Sequence, residues 1–144
     1  MRALVQRILR GSVAVEGEIV GRVDRPGLLL LVGATHDDGP GDVDWVVRKA
    51  AGLRVLAGEQ GAVEAGAPLL VVSQFTLYGD ARKGRRPTWQ AAAPADVGEP
   101  LVDAVADGLR RLGLEVATGR FGADMRLDVV LDGPMTVWLE SPRP

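Results

Sequence analysis

The segment Leu28 to Val32 is apolar at every position and is bracketed by the turn Arg25-Pro26-Gly27 and by Gly33. Five residues make a strand, and a strand with no polar side must be covered on both faces. Other elements therefore have to lie above and below it. The chain has 144 residues, enough for one domain with a real core. Its composition, 47% hydrophobic and 25% charged, excludes disorder as the main state. No apolar run approaches the roughly 20 residues of a membrane helix, and the opening Met1-Arg2-Ala3-Leu4 has no secretory pattern. A cytoplasmic chain with no membrane partner is expected.

Around the central strand the pattern predicts strands and two helices. Residues 2–10 read as a strand, broken by Gly11. Val13 and Val15, the turn Glu16-Gly17 and the run Ile19 to Val23 read as a hairpin. Asp42 is placed to cap a helix over 43–51, where Val43, Val46, Val47 and Ala50 share one face. Leu53 to Leu56 reads as a short strand, 57–67 as a loop, and Leu69 to Thr76 as a strand. A second helix follows Pro94, with Leu101, Val105, Leu109 and Leu112 on one side and an Asp96-x-x-Glu99 capping pattern at its start. A short strand begins at Val116. Two more, 126–131 and 135–140, are joined through Asp132-Gly133-Pro134. The expected fold is a single α+β domain, residues 1–144: a largely antiparallel, curled or barrel-like sheet with two helices packed on it.

The chemistry available is narrow. There is no cysteine and one histidine, His36, which excludes thiolate chemistry and zinc sites of the His/Cys kind within one chain. A metal held by carboxylates alone stays open, but Asp37-Asp38 and Asp42-x-Asp44 are also what a helix start favours. No metal and no cofactor is expected. A Ser-His-Asp triad has only His36 to draw on. No glycine-rich phosphate or dinucleotide loop is present.

Three segments stand out. Ser73-Gln74-Phe75-Thr76-Leu77 puts three hydrogen-bonding side chains and one aromatic ring where an apolar strand runs out. That suits either a strand edge with satisfied hydroxyls or a site that holds an oxyanion and stacks a base. Asp132-Gly133-Pro134 suits either a turn or backbone carbonyls presented to a ligand. Arg82-Lys83-x-Arg85-Arg86 is a basic run in a chain of formal charge −2. It is either a solvated loop or the seat of a polyanion.

These segments carry a resemblance that runs nearly the whole chain. Ala3-Leu4-Val5-Gln6-Arg7, Val13-x-Val15-Glu16-Gly17, Ser73-Gln74-Phe75-Thr76-Leu77, Arg86-Pro87, Thr118-Gly119-Arg120-Phe121, Ala123-Asp124-Met125 and Asp132-Gly133-Pro134-x-Thr136 follow in the order and spacing of the D-aminoacyl-tRNA deacylases. Tyr78-Gly79 and the Pro-rich tail after Glu140 depart from that pattern without touching the motifs. The resemblance implies hydrolysis of the ester between a D-amino acid and the 3′-terminal adenosine of tRNA. It implies Ser73, Gln74 and Thr76 at the reacting centre, with Phe75 beside them. It also implies a homodimer in which Gly133-Pro134, a Gly-cisPro element oriented by Arg7, enters the partner's site, and Phe121 and Met125 near the adenosine. Two competing readings are a paralogue with a trans Gly-Pro and relaxed chirality, and a module that binds the tRNA end without turnover.

Overall fold

The computed structural model describes residues 1–143. Its elements are β1 (Arg2–Val15), β2 (Glu18–Val23), β3 (Gly27–Gly33), α1 (Pro40–Gly52), α2 (Ala62–Ala65), β4 (Leu69–Ser73), a 3₁₀ turn (Phe75–Tyr78), α3 (Ala95–Arg111), β5 (Val116–Thr118) and β6 (Arg126–Glu140). The sheet runs β2-β1-β3-β4-β5, and β6 lies along β1. β1 pairs antiparallel with β2, β3 and β6, while β3–β4 and β4–β5 are parallel. The class is the expected α+β with a curled sheet, but it carries three helices rather than two, because α2 forms within the stretch 57–67 expected as a loop. The sheet is mixed rather than almost wholly antiparallel, because the helices form crossovers between β3, β4 and β5, and only a crossover can join parallel neighbours. No helix among the described residues is long and apolar enough to cross a membrane.

The central strand is covered on both faces. Leu28, Leu30 and Val32 pack with Leu69, Val71 and the inner sides of α1 and α3 in one apolar layer. Leu29 points the other way, into the sheet's concave interior, with Ile8, Val13, Val23, Leu70 and Val72. The curl is close enough to bring β2 against β5. A Cβ on Gly21 would stand 2.1 Å from the Thr118 carbonyl oxygen. Gly21→Ala must therefore push backbone apart at that seam. We expect a stability loss of about 2–4 kcal/mol, seen as a lower denaturation midpoint with little change in slope.

Several local expectations are corrected. Gly11 does not break β1. Its Cβ would stand 3.3 Å from Leu70 in the packed interior, and the strand runs through it. The segments 126–131 and 135–140 are one strand, β6. Both halves pair antiparallel with the same partner, so the chain never reverses between them. β4 ends at Ser73, because Phe75 to Tyr78 coil into a 3₁₀ turn closed by the Leu77 and Gly79 N–H groups. Asp42 lies inside α1 rather than capping it. The helix begins at Pro40, and the Asp42 carboxylate accepts the Gly39 N–H at 2.9 Å. α3 starts after Pro94 with no side-chain cap, so Asp96 and Glu99 make no capping box. Leu53 to Leu56 forms no strand, only an isolated bridge between Leu56 and Gln60.

The ends of the chain meet in a buried polar cluster. The Met1 ammonium donates to Asp38 and to the Ser141 hydroxyl, each at 2.7 Å, and Arg143 reaches Asp38 at 2.7 Å. Such an anchor fixes the start of β1, and with it Arg2, beneath the 3₁₀ turn.

Candidate active site

The end of β4 and the turn after it form one wall of a cleft of about 270 Å³. Ser73, Gln74 and Phe75 face Ala123, Asp124 and Met125 across it, with Leu127 at the side. Thr76 and Phe75 are exposed, and Ser73 and Gln74 half-buried. The Gln74 amide donates to the Thr76 hydroxyl oxygen. An amide accepts no proton at neutral pH, so this contact orients Thr76 without making it a nucleophile. His36 lies elsewhere, its Nε2 2.8 Å from the Gln90 carbonyl oxygen. Burial, with a smaller contribution from Asp38, pushes the Tyr78 phenol up to about 12, which leaves it protonated and no base. The cleft thus offers the Ser73 hydroxyl, the Gln74 amide, the Phe75 ring and the Asp124 carboxylate, while Thr76 stands just outside its lining and, among the described residues, no carboxylate or histidine is hydrogen-bonded to its hydroxyl.

The turn is held by Arg2. Its guanidinium donates to the Leu77 carbonyl at 2.9 Å and to Glu140 at 3.1 Å. It also lies 4.4 Å from the centroid of Tyr78 and 5.5 Å from that of Trp138. One side chain therefore ties the site to the far end of β6. Sequence patterning gave no hint of this, because an arginine near a chain start has no signature of its own.

Gly133 and Pro134 occupy a bulge in β6. Gln6 pairs with Thr136 and Ile8 with Leu131, so the four residues between 131 and 136 stand opposite Arg7 alone. The Gly133–Pro134 peptide is cis. Arg7 grips the bulge from within. Its Nε donates to the Asp132 carbonyl at 3.1 Å and pairs with the Asp132 carboxylate at 3.1 Å, and Nη1 reaches the Val55 carbonyl at 3.2 Å. Gly133 and Pro134 are exposed, and nothing lies within 4 Å of where a Gly133 Cβ would be.

Of the residues expected together, the chain joins Ser73, Gln74, Phe75 and Met125 around one cleft. Phe121 lies apart from that cleft. It lines a smaller one with Ser73 and Val102, and its ring packs against Gly98 of α3. The bulge and the cleft are farther apart still. Arg7 is level with Leu28 and Leu69, four positions before Ser73. That is about 13 Å along the strands and about 14 Å across three strand spacings, on the order of 20 Å within the sheet.

Comparison with known proteins adds a family. Residues 4–140 match the model of the family described as D-Tyr-tRNA(Tyr) deacylase. A protein of Kineococcus radiotolerans named D-aminoacyl-tRNA deacylase is 64% identical over 98% of this chain and 100% of its own. One of the same name from Thermobifida fusca is 59% identical over 97% of this chain and 99% of its own. Among solved structures, a c-Myc DNA unwinding element binding protein superposes with a TM-score of 0.90 at 34% identity, covering 99% of this chain and 100% of that one. A probable eukaryotic D-amino acid tRNA deacylase gives 0.83 at 19% identity, covering 96% and 97%, and so speaks for the fold alone.

Proposed function

The chain belongs to the D-Tyr-tRNA(Tyr) deacylase family, and from that premise we propose that it is an enzyme that hydrolyses the ester of D-aminoacyl-tRNA. Water adds to the ester carbonyl, the tetrahedral intermediate expels the ribose 3′ oxygen, and the products are a D-amino acid and free tRNA. The observation that carries this reading is the cleft walled by Ser73, Gln74, Phe75, Asp124 and Met125, which has polar groups and an aromatic face while, among the described residues, no base is hydrogen-bonded to Thr76. A site of that kind suits a substrate that brings its own proton relay: the vicinal 2′ hydroxyl can take a proton from the attacking water as it passes its own to the departing 3′ oxygen. The protein's share is to position the ester, stack the adenine on Phe75 with Met125 opposite, and stabilise the oxyanion by hydrogen bonds. The cytoplasm, where aminoacyl-tRNA is made and used, is the expected location.

The working form is a homodimer. The Gly133–Pro134 bulge lies outside the cleft of its own chain, three strands across the sheet and four positions back from Ser73, and we assign it to a second copy's cleft. There the Gly133 and Pro134 carbonyl oxygens receive the substrate ammonium, with Arg7 holding the bulge in place. An L side chain then meets the motif, whereas a D side chain points away. Discrimination by clash needs no side-chain pocket, so many D-amino acids are accepted, and glycine is too.

Matched D-, L- and glycyl-tRNA, assayed for loss of the esterified amino acid, test the reading. D-aminoacyl-tRNA and glycyl-tRNA are expected to be cleaved at least about tenfold faster than L-aminoacyl-tRNA, a difference of ~1.4 kcal/mol. Equal rates for D and L would point to relaxed chirality. Binding without turnover would favour a nucleic-acid-binding module, a reading that the likeness to the DNA-element-binding protein keeps in play.

A further inference from the structure

One exposed aromatic and one basic loop lie outside the cleft and have no part in the chemistry above. Trp89 is 43% exposed, yet it is held on several sides. Its ring sits so close over the 3₁₀ turn that a Cβ on Gly79 would stand 2.5 Å from Trp89 Cζ3. It meets Phe75 edge to face, with ring centroids 5.5 Å apart. The backbone on either side is pinned. Asp80 and Thr88 exchange two hydrogen bonds of 2.9 Å, the Ala92 N–H reaches the Trp89 carbonyl at 3.0 Å, and Ala93 bonds to Ala34 at 2.9 Å. Phe75 is 53% exposed, so the two touching rings form a contiguous apolar patch at the rim of the cleft, the kind of surface that takes a partner.

The basic run projects from the same bridge. Residues 81–90 are all exposed. The four cations are not equivalent. Arg82 folds back on Asp80, with Nε and Nη2 donating to the carboxylate at 2.9 and 2.6 Å and the Arg82 N–H at 3.0 Å. Those bonds hold the Asp80 carboxyl at about 2, so it stays ionised and open to Arg82 across the physiological range. Lys83, Arg85 and Arg86 have no carboxylate within ion-pair distance among the described residues. A cleft of about 580 Å³, lined by Asp80, Arg82, Lys83 and Thr88, opens at the base of the loop. A stacking ring followed by free cations is the pattern that grips a single strand of nucleic acid, the ring taking a base and the cations its phosphates.

Taking the deacylase reading as given, we infer that Trp89 and the loop 81–87 form a track for the single-stranded 3′ end of the RNA. The base preceding the terminal adenosine stacks on Trp89, Lys83, Arg85 and Arg86 hold backbone phosphates, and Arg82 shapes the loop without binding. The track starts where the cleft ends, because Phe75 lines the one and touches Trp89 of the other.

Two substrates separate the track from the cleft: a D-aminoacyl-tRNA, and the same D-amino acid esterified to adenosine alone. With the wild-type chain, the preceding nucleotides should raise kcat/KM well above that of the adenosine ester. Replacing Lys83, Arg85 and Arg86 together by alanine should raise KM for the tRNA about 10–100-fold. It should also flatten the log–log salt dependence by about 2, the value for three single-strand phosphate contacts. Adding Arg82→Ala should flatten it no further. Trp89→Ala should cost the tRNA substrate about tenfold, and Trp89→Phe should restore most of that. An unchanged KM and salt slope in the triple variant would overturn the track, and so would an equal loss on both substrates, the mark of a merely structural role. If Trp89→Ala fails to fold, the triple variant's salt slope decides. Wild-type hydrolysis of both esters with equal efficiency would remove the track and keep the deacylase. Hydrolysis of neither would remove the deacylase itself.

Discussion

A substrate that ends in 2′-deoxyadenosine, with the D-amino acid on its 3′ oxygen, is expected to be cleaved about 10²–10⁴-fold more slowly than the ribose substrate. The expectation follows from what surrounds Thr76. Its hydroxyl receives a hydrogen bond from the Gln74 amide, and His36 is engaged with the Gln90 carbonyl. With no base to take its proton, Thr76 remains an alcohol, and the vicinal ribose hydroxyl is the group positioned to help. Thr76→Ala should accordingly keep substantial activity in single-turnover assays, since it removes one orienting contact and no nucleophile. A folded, substrate-binding Thr76→Ala enzyme without activity, together with a normal rate on the deoxy substrate, would make threonine the nucleophile. So would an acyl-enzyme trapped on Thr76.

The second large effect concerns assembly. Among the described residues β6 pairs only with β1, and its 15 residues leave the other edge open. Leu131 and Trp138 on that strand are 51% and 47% exposed. Long open edges with apolar side chains invite pairing with another chain. Leu131→Arg puts a charge into that surface, directly beside the bulge. It is expected to give a folded monomer by analytical ultracentrifugation and circular dichroism. Activity should fall at least about 100-fold, because in the proposed dimer half of each site is then missing. A folded, fully active monomer would show that one chain holds a whole site.

The elements legible in the sequence are those with a repeating local signal. The uninterrupted Leu28–Val32 run led to the two-sided core, and the i, i+3, i+4, i+7 spacing from Val43 led to α1. The turn at Glu16-Gly17 was legible too. Both residues have positive φ, 51° and 81°, as a tight hairpin of this twist requires. What escaped was set by partners distant in sequence. Gly133-Pro134 looks like a chain reversal until β1 is seen to pair with both flanks. Gly11 looks like a break until Leu70 is seen to fill the space a side chain would need. At the site, Ser73 to Phe75 and Met125 were found as motifs and share one cleft. Arg2 and Trp89 were not found. One acts through rings of Tyr78 and Trp138, remote along the chain, and the other is a lone aromatic in an irregular stretch.

Gly21 and Gly133 stand at opposite ends of the range of glycine surroundings in this chain. At Gly21 the fold leaves no room for a methyl group. At Gly133 the surroundings are empty, and its backbone is outside the left-handed region that calls for glycine. Within a single molecule, that residue is a free choice. A screen that scores only thermal stability would therefore pass almost any small replacement there. In the proposed dimer, a side chain at Gly133 would instead meet the substrate and the second subunit. The position belongs to the complex rather than to the fold.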